Sequence, residues 1–332
     1  MRSIDGFLLK DIMRSFGKCE VAFIIDDVQP YNKALASCRM RVYDLMTYFN
    51  EHGIRAELYK PWKRYKVAFF MKVHRDRAVE WAKRLKAQGT YLIMDPYCEF
   101  IDDESLTDNL ERNNVLRLTE LMDVVNPCGQ VQYDKFAKYH SNMNIIGDNV
   151  EDDFFDSPKV HTATERVTLC YCGYGKKCRD TLAIKDVIRR LQEKYNCRML
   201  FITNESPEIT EFDNEYVRYD QSKIVELFKM GDIMIAPRPM EGIEGLSHSN
   251  TKIAYPMSIG LPVVASPVPS YLDSPAVICR TDEEWYNALE RLITDVEYRS
   301  NLSKEGIDFM WENYSMNHIG PIYVDMIKDY IS

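Results

Sequence analysis

Short apolar runs alternate with amphipathic stretches along the first half of the chain. Residues 21–25 are apolar and are followed by two aspartates, a pattern that predicts a buried strand. Similar runs predict four more strands, at residues 55–59, 67–73, 91–94 and 123–126. Apolar residues at helical spacing predict two helices, at residues 39–50 and 75–88. Strands that alternate with helices in this way indicate a parallel sheet with helices on both faces.

The alternation restarts after an acidic, polar stretch near residues 149–164. The second half predicts strands at residues 167–172, 198–203, 232–236 and 262–265 and helices at 179–195, 223–230 and 249–260. Residues 282–331 are predicted to be helical, with breaks near Tyr314 and at Gly320-Pro321. We therefore expect an α/β protein of two Rossmann-like domains, residues 1–155 and 156–314, followed by a helix over 315–332. The carboxyl ends of the strands are the expected ligand edge.

Composition excludes several classes of protein. Of 332 residues, 45% are hydrophobic and 28% charged, as in globular domains. The longest apolar runs have about five residues, whereas a membrane span needs about 20, and the first 18 residues lack the apolar core of a signal peptide. Nine cysteines without a C-x-x-C pair predict free thiols in a reducing, cytoplasmic compartment. A net charge of −9 argues against a protein that coats nucleic acid.

A glycine-rich loop follows the strand predicted at 167–172. It reads Cys-Gly-Tyr-Gly-Lys-Lys-Cys-Arg over residues 172–179. Gly173 and Gly175 permit a tight turn and let a ligand approach backbone N–H groups. Three cations lie at the start of the following helix, where a diphosphate would be favoured: Lys176, Lys177 and Arg179. Cys178 stands where the dinucleotide pattern has its third glycine, so an NAD site is disfavoured, and an ordinary glycine turn is the alternative.

A second candidate stretch opens the helix predicted over 249–260. Its polar start offers helix caps and free N–H groups and consists of Ser249, Asn250 and Thr251. Lys252 in the first turn opposes the helix macrodipole, which is easier to explain if an anion binds there. A capped helix whose lysine reaches solvent is the alternative.

The residues around this helix resemble the group-1, family-4 type of glycosyltransferases, which have the GT-B fold. The motif consists of Lys252, Met257, Gly260 and the Pro-Val-Val-Ala-Ser of residues 262–266. Three other segments are similar to the same family: the linker at 144–155, the strand region at 231–237 and the helix start at 37–41. The order and spacing of these motifs, which together cover most of residues 20–315, carry the resemblance.

The resemblance implies two Rossmann-like domains that face a central cleft, with the last helix returning to the first domain. The second domain would bind a nucleotide-sugar, UDP- or GDP-linked, and the first would present the acceptor hydroxyl. The reaction would be a hexosyl transfer with retention that needs no metal and no cofactor. Residues 173–179 and 249–252 would hold the diphosphate.

The resemblance also implies roles for residues at other strand ends. Asp95 and Lys72 would be catalytic together with Lys252, although Asp95 before Pro96 is equally explained as a turn residue. The acceptor or phosphate side would use Ser37, Arg39, Arg41 and His74, the last of which is otherwise a surface histidine. Asn204 and Tyr219 would contact the nucleotide.

One departure from the family concerns the donor. Alignment on Gly260 places Tyr255 where many members have the glutamate that binds the ribose. Glu241 and Glu244, slightly upstream, are the candidates to replace it. Two alternatives therefore stay open: a catalytically degenerate nucleotide- or sugar-binding protein, and a GT-B enzyme other than a transferase, such as an epimerase.

The acceptor is not indicated by a motif. A glycan or glycolipid is the common acceptor in the family, and a hydroxymethylated DNA base, as in phage DNA glycosyltransferases, is the alternative. Residues 55–86 contain eleven lysines and arginines against three acidic residues, with Trp62, Tyr65 and Trp81 among them. Such a segment predicts peripheral contact with an anionic surface, or else a solvated helix face.

Overall fold

The computed structural model describes residues 17–25, 36–96, 101, 109–151, 158–241 and 243–331. Residues 152–155 of the predicted linker and the side chain of Glu244 lie outside this description. Contacts divide the chain into two compact units. The first comprises Met1–Glu151, Ser247–Ser249 and Tyr314–Ser332, and the second comprises Asp152–Leu246 and Asn250–Asn313.

The first unit is built on a sheet of five parallel strands in the order β2-β1-β3-β4-β5. The strands are β1 (Val21–Ile24), β2 (Ala56–Leu58), β3 (Val67–Met71), β4 (Tyr91–Asp95) and β5 (Val124–Val125). Almost every strand residue is buried, because helices cover both faces of the sheet. The helices are α1 (Ala36–Cys38), a π-helical segment (Arg39–Asp44), α2 (Leu45–Glu51), α3 (Asp76–Ala87), α4 (Asn109–Leu121) and α5 (Gln130–Phe136).

The C-terminal helix, Met316–Ile331, belongs to the first unit. Its apolar stripe, which includes Ile319, Tyr323 and Ile327, packs into the core on one face of the five-stranded sheet. The ring of Tyr323 meets that of Phe69 edge-on at 5.8 Å between centroids. The break predicted near Tyr314 is present, but the break at Gly320-Pro321 was wrong. The helix continues through Pro321, since buried side chains on both sides of the proline hold it to the sheet.

Gly320 sets how closely this helix approaches α2. A Cβ atom at Gly320 would overlap the ring of Tyr48. We expect Gly320→Ala to lower the free energy of unfolding by about 1–3 kcal/mol, measured in urea, because the ring and the helix must separate. Gly306→Ala is the matched control, since that helical glycine has room for a methyl group against Met257. Equal stability of the two variants would contradict this account.

The second unit is built on a sheet of six parallel strands in the order β11-β10-β9-β6-β7-β8. The strands are β6 (Thr168–Gly173), β7 (Arg198–Thr203), β8 (Asn214–Arg218), β9 (Ile233–Ala236), β10 (Val263–Ala265) and β11 (Val277–Ile278). The α-helices are α6 (Lys185–Tyr195), α7 (Ile224–Lys229), α8 (Ile243–Leu246), α9 (Thr251–Ile259), α10 (Asp282–Thr294) and α11 (Val296–Tyr314). Short 3₁₀ helices are Gly175–Ile184, Gln221–Lys223 and Pro269–Tyr271. The α-helix predicted from residue 179 thus begins only at Lys185.

No helix among the described residues is long and apolar enough to cross a bilayer.

Candidate functional site

The carboxyl ends of the second sheet bring most predicted donor residues to one edge. In a parallel sheet all strands end at the same side, so residues that directly follow β6, β7, β8, β9 and β10 are neighbours there. The glycine-rich loop follows β6, and Asn204 follows β7. Tyr219 follows β8. This edge is the candidate site of the second unit.

Lys252 lies at the centre of this edge. Its Nζ is 3.5 Å from the centre of the Tyr171 ring, a cation–π contact. A Cβ atom at Gly173 would lie 3.4 Å from the same Nζ, so the ammonium sits beside the backbone at the end of β6. The structure therefore brings together Gly173 and Lys252, which come from two separate sequence motifs.

Arg238 is a cation at this edge that the sequence reasoning missed. It follows β9, and its backbone N–H donates to Ser266 Oγ at 2.9 Å. Its Nη1 lies 3.3 Å from Asp180 Oδ2, and both side chains are largely buried. Arg238 Nε and the Tyr271 hydroxyl are buried near each other, and neither atom makes a hydrogen bond of good geometry in the described chain. Arg238 could have been predicted as a site residue from the sequence, because it is a cation that directly follows Pro237 at the end of a predicted strand.

The charges at this edge do not balance. Burial lowers the pKa of Lys252 well below its usual value, and the nearby positive charge of Arg238 lowers it further. Asp180 opposes both effects but already pairs with Arg238. Burial raises the pKa of Tyr271, which keeps that phenol protonated as a donor. Among the described side chains, Lys252 and Arg238 thus share the largely buried carboxylate of Asp180, and an anion would complete their charge compensation.

The glycine-rich loop is held by internal hydrogen bonds. The N–H of Gly175 donates to Asn204 Oδ1 at 2.9 Å, and the N–H of Lys177 donates to the Tyr174 carbonyl at 2.9 Å. These two amides are therefore used inside the protein, although the sequence reasoning assigned the loop's amides to a ligand. The side chains of Lys176 and Arg179 are exposed.

The remaining predicted donor residues vary in burial. The Tyr219 hydroxyl donates to Gln221, and Glu241 is exposed. Tyr255, at the position of the expected glutamate, is buried in α9 with 6% of its surface exposed. Of the polar residues before Lys252, Asn250 is buried, and Ser249 and Thr251 are half-buried. Their predicted roles stay predictions.

In the first unit, Arg41 and Asp95 form one buried charge network. Arg41 Nη1 lies 3.1 Å from Asp95 Oδ2, and Arg41 Nε donates to Asp148 Oδ1 at 2.8 Å. Arg41 also donates to the Tyr323 hydroxyl at 2.9 Å and to the Ile146 carbonyl at 2.5 Å. Although burial opposes it, the carboxylate of Asp95 and its neighbours raise the pKa of Arg41. This network fixes the Asp95 carboxylate at the end of β4.

The first unit also contains the other predicted acceptor-side residues and Lys72, which was predicted to be catalytic. Arg39 Nε donates to Glu151 Oε1 at 2.6 Å, and Ser37 is buried. Lys72 has a left-handed backbone (φ 48°) directly after β3, and its N–H donates to the Asp95 carbonyl at 2.9 Å. His74 is buried, with Nε2 3.5 Å from Glu111 Oε1, so the alternative of a surface histidine was wrong.

Among the residues that the structure describes, no group of three or more histidines, cysteines or acidic side chains is arranged to hold a metal ion.

Solved structures with a similar fold are glycosyltransferases. HepE from Anabaena, solved in complex with UDP and glucose, matches with a TM-score of 0.66 and 10% identity over 94% of this chain and 100% of HepE. Sucrose-phosphate synthase from Thermosynechococcus elongatus matches with a TM-score of 0.62 and 10% identity over 98% of this chain and 93% of the synthase. The Escherichia coli trehalose-6-phosphate protein bound to UDP-2-fluoro glucose matches with a TM-score of 0.56 and 12% identity, over 80% and 73%. No protein-family model and no curated protein matches the sequence. At such identities the likeness lies in the fold, and the chain has the GT-B fold of the glycosyltransferases, as its sequence motifs predicted.

Proposed function

We propose that this protein transfers a sugar from a nucleotide-sugar to an acceptor hydroxyl. The observation that carries the proposal is the set of donors at the carboxyl edge of the second sheet: Lys252, Arg238 and Tyr271. Oxygens of a diphosphate would accept from these groups and balance their excess positive charge. The similar structures of HepE in complex with UDP-glucose and of the E. coli protein with UDP-2-fluoro glucose support this assignment.

The donor edge would act by stabilising the leaving group. When the bond between the sugar C1 and the diphosphate oxygen breaks, the electron pair stays on the diphosphate. Lys252 and Arg238 would stabilise the charge that develops there, a role that we propose needs no metal ion. The acceptor oxygen forms the new bond to C1, and its proton passes to the departing diphosphate, which carries the electron pair of the broken bond. We propose retention of configuration, because the motifs resemble a retaining family.

The remaining predicted residues have roles consistent with this reaction. Tyr219, after β8, would contact the base of a UDP- or GDP-linked donor. Asp95 and Lys72, at neighbouring strand ends of the first sheet, would orient the acceptor hydroxyl. We propose a glycan or glycolipid acceptor, with a DNA base as the alternative. We also propose a cytoplasmic location, which the free thiols of all described cysteines support.

A second candidate function is nucleotide-sugar binding without transfer. Tyr255 favours it, since a buried phenol stands where many family members have the ribose-binding carboxylate. Both functions require the donor to bind, and only the first requires turnover.

A thermal-shift series tests the proposal. A nucleotide at a hundredfold excess over its Kd stabilises the folded state by about 2.7 kcal/mol, so UDP, UDP-glucose, GDP or GDP-mannose should raise Tm by several degrees. Uridine and guanosine are matched controls, since they lack the phosphates. If no nucleotide raises Tm, the proposal fails. If a donor binds and is neither hydrolysed nor transferred to glycan acceptors, the second function holds. If the sugar is transferred, NMR of the new anomeric bond tests whether configuration is retained. Activity in the presence of EDTA tests whether the reaction needs a metal ion.

A further inference from the structure

An exposed tryptophan of the first unit lies in a turn that hydrogen bonds and an ion pair hold in place. We name residues 60–64 the Trp62 turn; it connects β2 to β3, and the Trp62 side chain is 75% exposed. Lys63 Nζ lies 2.7 Å from Glu57 Oε1 and donates to the Gly17 carbonyl at 2.9 Å. The Tyr65 hydroxyl donates to the same carboxylate oxygen at 2.9 Å and accepts from the Lys60 N–H at 3.0 Å.

These bonds attach the turn to a buried carboxylate, that of Glu57. Glu57 has no exposed surface, and its charge is compensated by Lys63 and by the Tyr65 hydroxyl. The anchoring therefore fixes the backbone on both sides of Trp62 while the indole itself points away from the core. Single exposed apolar side chains are common at protein surfaces, so Trp62 is distinguished by the cations and aromatic rings around it.

The surroundings of the Trp62 turn are basic and aromatic. Arg64 and Arg84 are exposed and have no ion-pair partner in the described part of the chain. Burial raises the pKa of Tyr59, the residue next to the turn, and the positive charge of nearby Arg84 opposes this rise. Tyr59 packs against Trp81 of α3 at 5.3 Å between ring centres, and both rings line a cavity of about 180 Å³. The surface therefore combines an exposed indole, a cationic rim and an aromatic recess.

The acidic residues of this region do not cancel its charge. Residues 55–86 carry eleven lysines and arginines against three acidic residues. Glu57 is buried against Lys63, and Glu80 pairs with Lys83 on α3. Asp76 accepts from Asn114 at 3.0 Å. Two of the eleven cations, Arg55 and Lys86, also pair with acidic residues outside the segment, Glu20 and Asp123. Among the described residues Arg64 and Arg84 have no ion pair, so this face presents positive charge although the whole chain carries −9.

We propose that the Trp62 turn, with Arg64 and Arg84, docks the protein on an anionic lipid bilayer. An indole is amphipathic and prefers the headgroup level of a bilayer, while arginines beside it would contact anionic headgroups. Duplex DNA would also attract the cations, but its stacked bases offer no apolar layer that would take up the indole. The bilayer is therefore the partner that accounts for both the charge and the tryptophan.

Vesicle binding of the full chain tests the proposal. The probes are vesicles of phosphatidylcholine alone and vesicles with 40% phosphatidylglycerol, compared by flotation at low and high salt. We expect partitioning at least tenfold stronger with phosphatidylglycerol, weakened by salt because the Debye length shortens. The emission of the four tryptophans should shift to shorter wavelength on binding, and this shift should be lost in Trp62→Phe.

Variants locate the surface. Trp62→Ala should weaken partitioning at least fivefold, and Arg64→Gln and Arg84→Gln should weaken it about fivefold each, which corresponds to ~1 kcal/mol per cation. Val160→Ala and Lys304→Gln, an exposed apolar residue and an exposed cation of the second unit, are matched controls that should bind like wild type. All variants should keep the wild-type Tm.

Three outcomes would overturn the proposal. The first is equal binding, or no binding, with and without phosphatidylglycerol. The second is wild-type partitioning by Trp62→Ala. The third is Trp62-dependent binding of a duplex or single-stranded DNA oligonucleotide without vesicle binding, which would assign the surface to nucleic acid.

Discussion

Replacement of Lys252 by methionine should weaken nucleotide binding at least tenfold and, at the same time, stabilise the protein without ligand. Methionine keeps the length of the side chain over the Tyr171 ring but removes the charge. Charge-assisted hydrogen bonds contribute about 1.5–3 kcal/mol, so the affinity for UDP or GDP should fall at least tenfold. Without ligand the ammonium is partly desolvated and repelled by Arg238, so its removal should add about 1 kcal/mol to the free energy of unfolding.

The pH dependence of protein stability is an independent test of the role of Lys252. Its pKa in the folded protein is below the usual value of 10.5, so the unfolded chain binds the proton more strongly. Stability of the wild type should therefore rise with pH between the folded pKa and about 10.5, and Lys252→Met should lose this rise. Nucleotide affinity should change in the opposite direction, since the diphosphate needs the charged ammonium. Calorimetric titrations at several pH values measure both the affinity and the uptake of a proton on binding.

Lys304→Met is the matched control for Lys252→Met. Lys304 is an exposed lysine of α11 in the same unit and has no ion pair in the described chain. The Lys304→Met variant should bind nucleotides like wild type and show no gain in stability. A Lys252→Met protein that is folded and binds UDP or GDP with wild-type affinity would remove Lys252 from the donor site.

The strands of both sheets could largely be predicted from their apolar runs, but the two edge strands of the second sheet, β8 and β11, could not. β1, β3 and β4 are buried on both faces, so their sequences are continuously apolar. β8 is an edge strand whose residues, Asn-Glu-Tyr-Val-Arg, are mostly half-buried or exposed. Its sequence resembles that of a loop, because its place in the sheet depends on backbone pairing with β7 rather than on burial.

The type of helix that follows the first glycine of the glycine-rich loop could not be predicted from local sequence. The helical pattern predicted an α-helix from residue 179, whereas a 3₁₀ helix continues to Ile184. Tertiary contacts hold this tighter form: the Tyr171 hydroxyl donates to the Lys177 carbonyl at 2.7 Å, and Asn204 accepts from Gly175. Asn204 lies 29 residues from Gly175, a separation that no sequence window spans.

The candidate site was predicted in its parts but not in its pairings. Lys252 was identified because a cation at a helix start needs an explanation. Arg238 was missed, since its significance comes from Asp180 and Lys252, which the fold brings to it. Arg41 and Asp95 were both proposed as functional residues, yet their mutual contact depends on Arg41 reaching the end of β4 from the π-helical segment.

Replacement of Arg41 by methionine should lower the free energy of unfolding by about 3–5 kcal/mol. The Arg41 guanidinium forms ion pairs with two buried carboxylates, Asp95 and Asp148, whose side chains are at most 4% exposed. Without Arg41 both carboxylates would lose their compensating charge in a site with little water, and loss of one partner of a buried ion pair is strongly destabilising. The hydroxyl of Tyr323 would also lose its donor, which loosens the C-terminal helix. Urea unfolding followed by circular dichroism measures the change.

Two further variants separate this structural role from the predicted role in acceptor binding. Arg55→Met is the matched control, because the ion pair of Arg55 with Glu20 is exposed and should contribute about 0–1 kcal/mol. Adding Asp148→Asn to Arg41→Met should recover part of the lost stability, since it removes one of the stranded charges. If Arg41→Met instead has wild-type stability and only weakens use of the acceptor, the arginine acts on substrate. The buried network around Asp95 would then not be what holds β4, the linker at Asp148 and the C-terminal helix together.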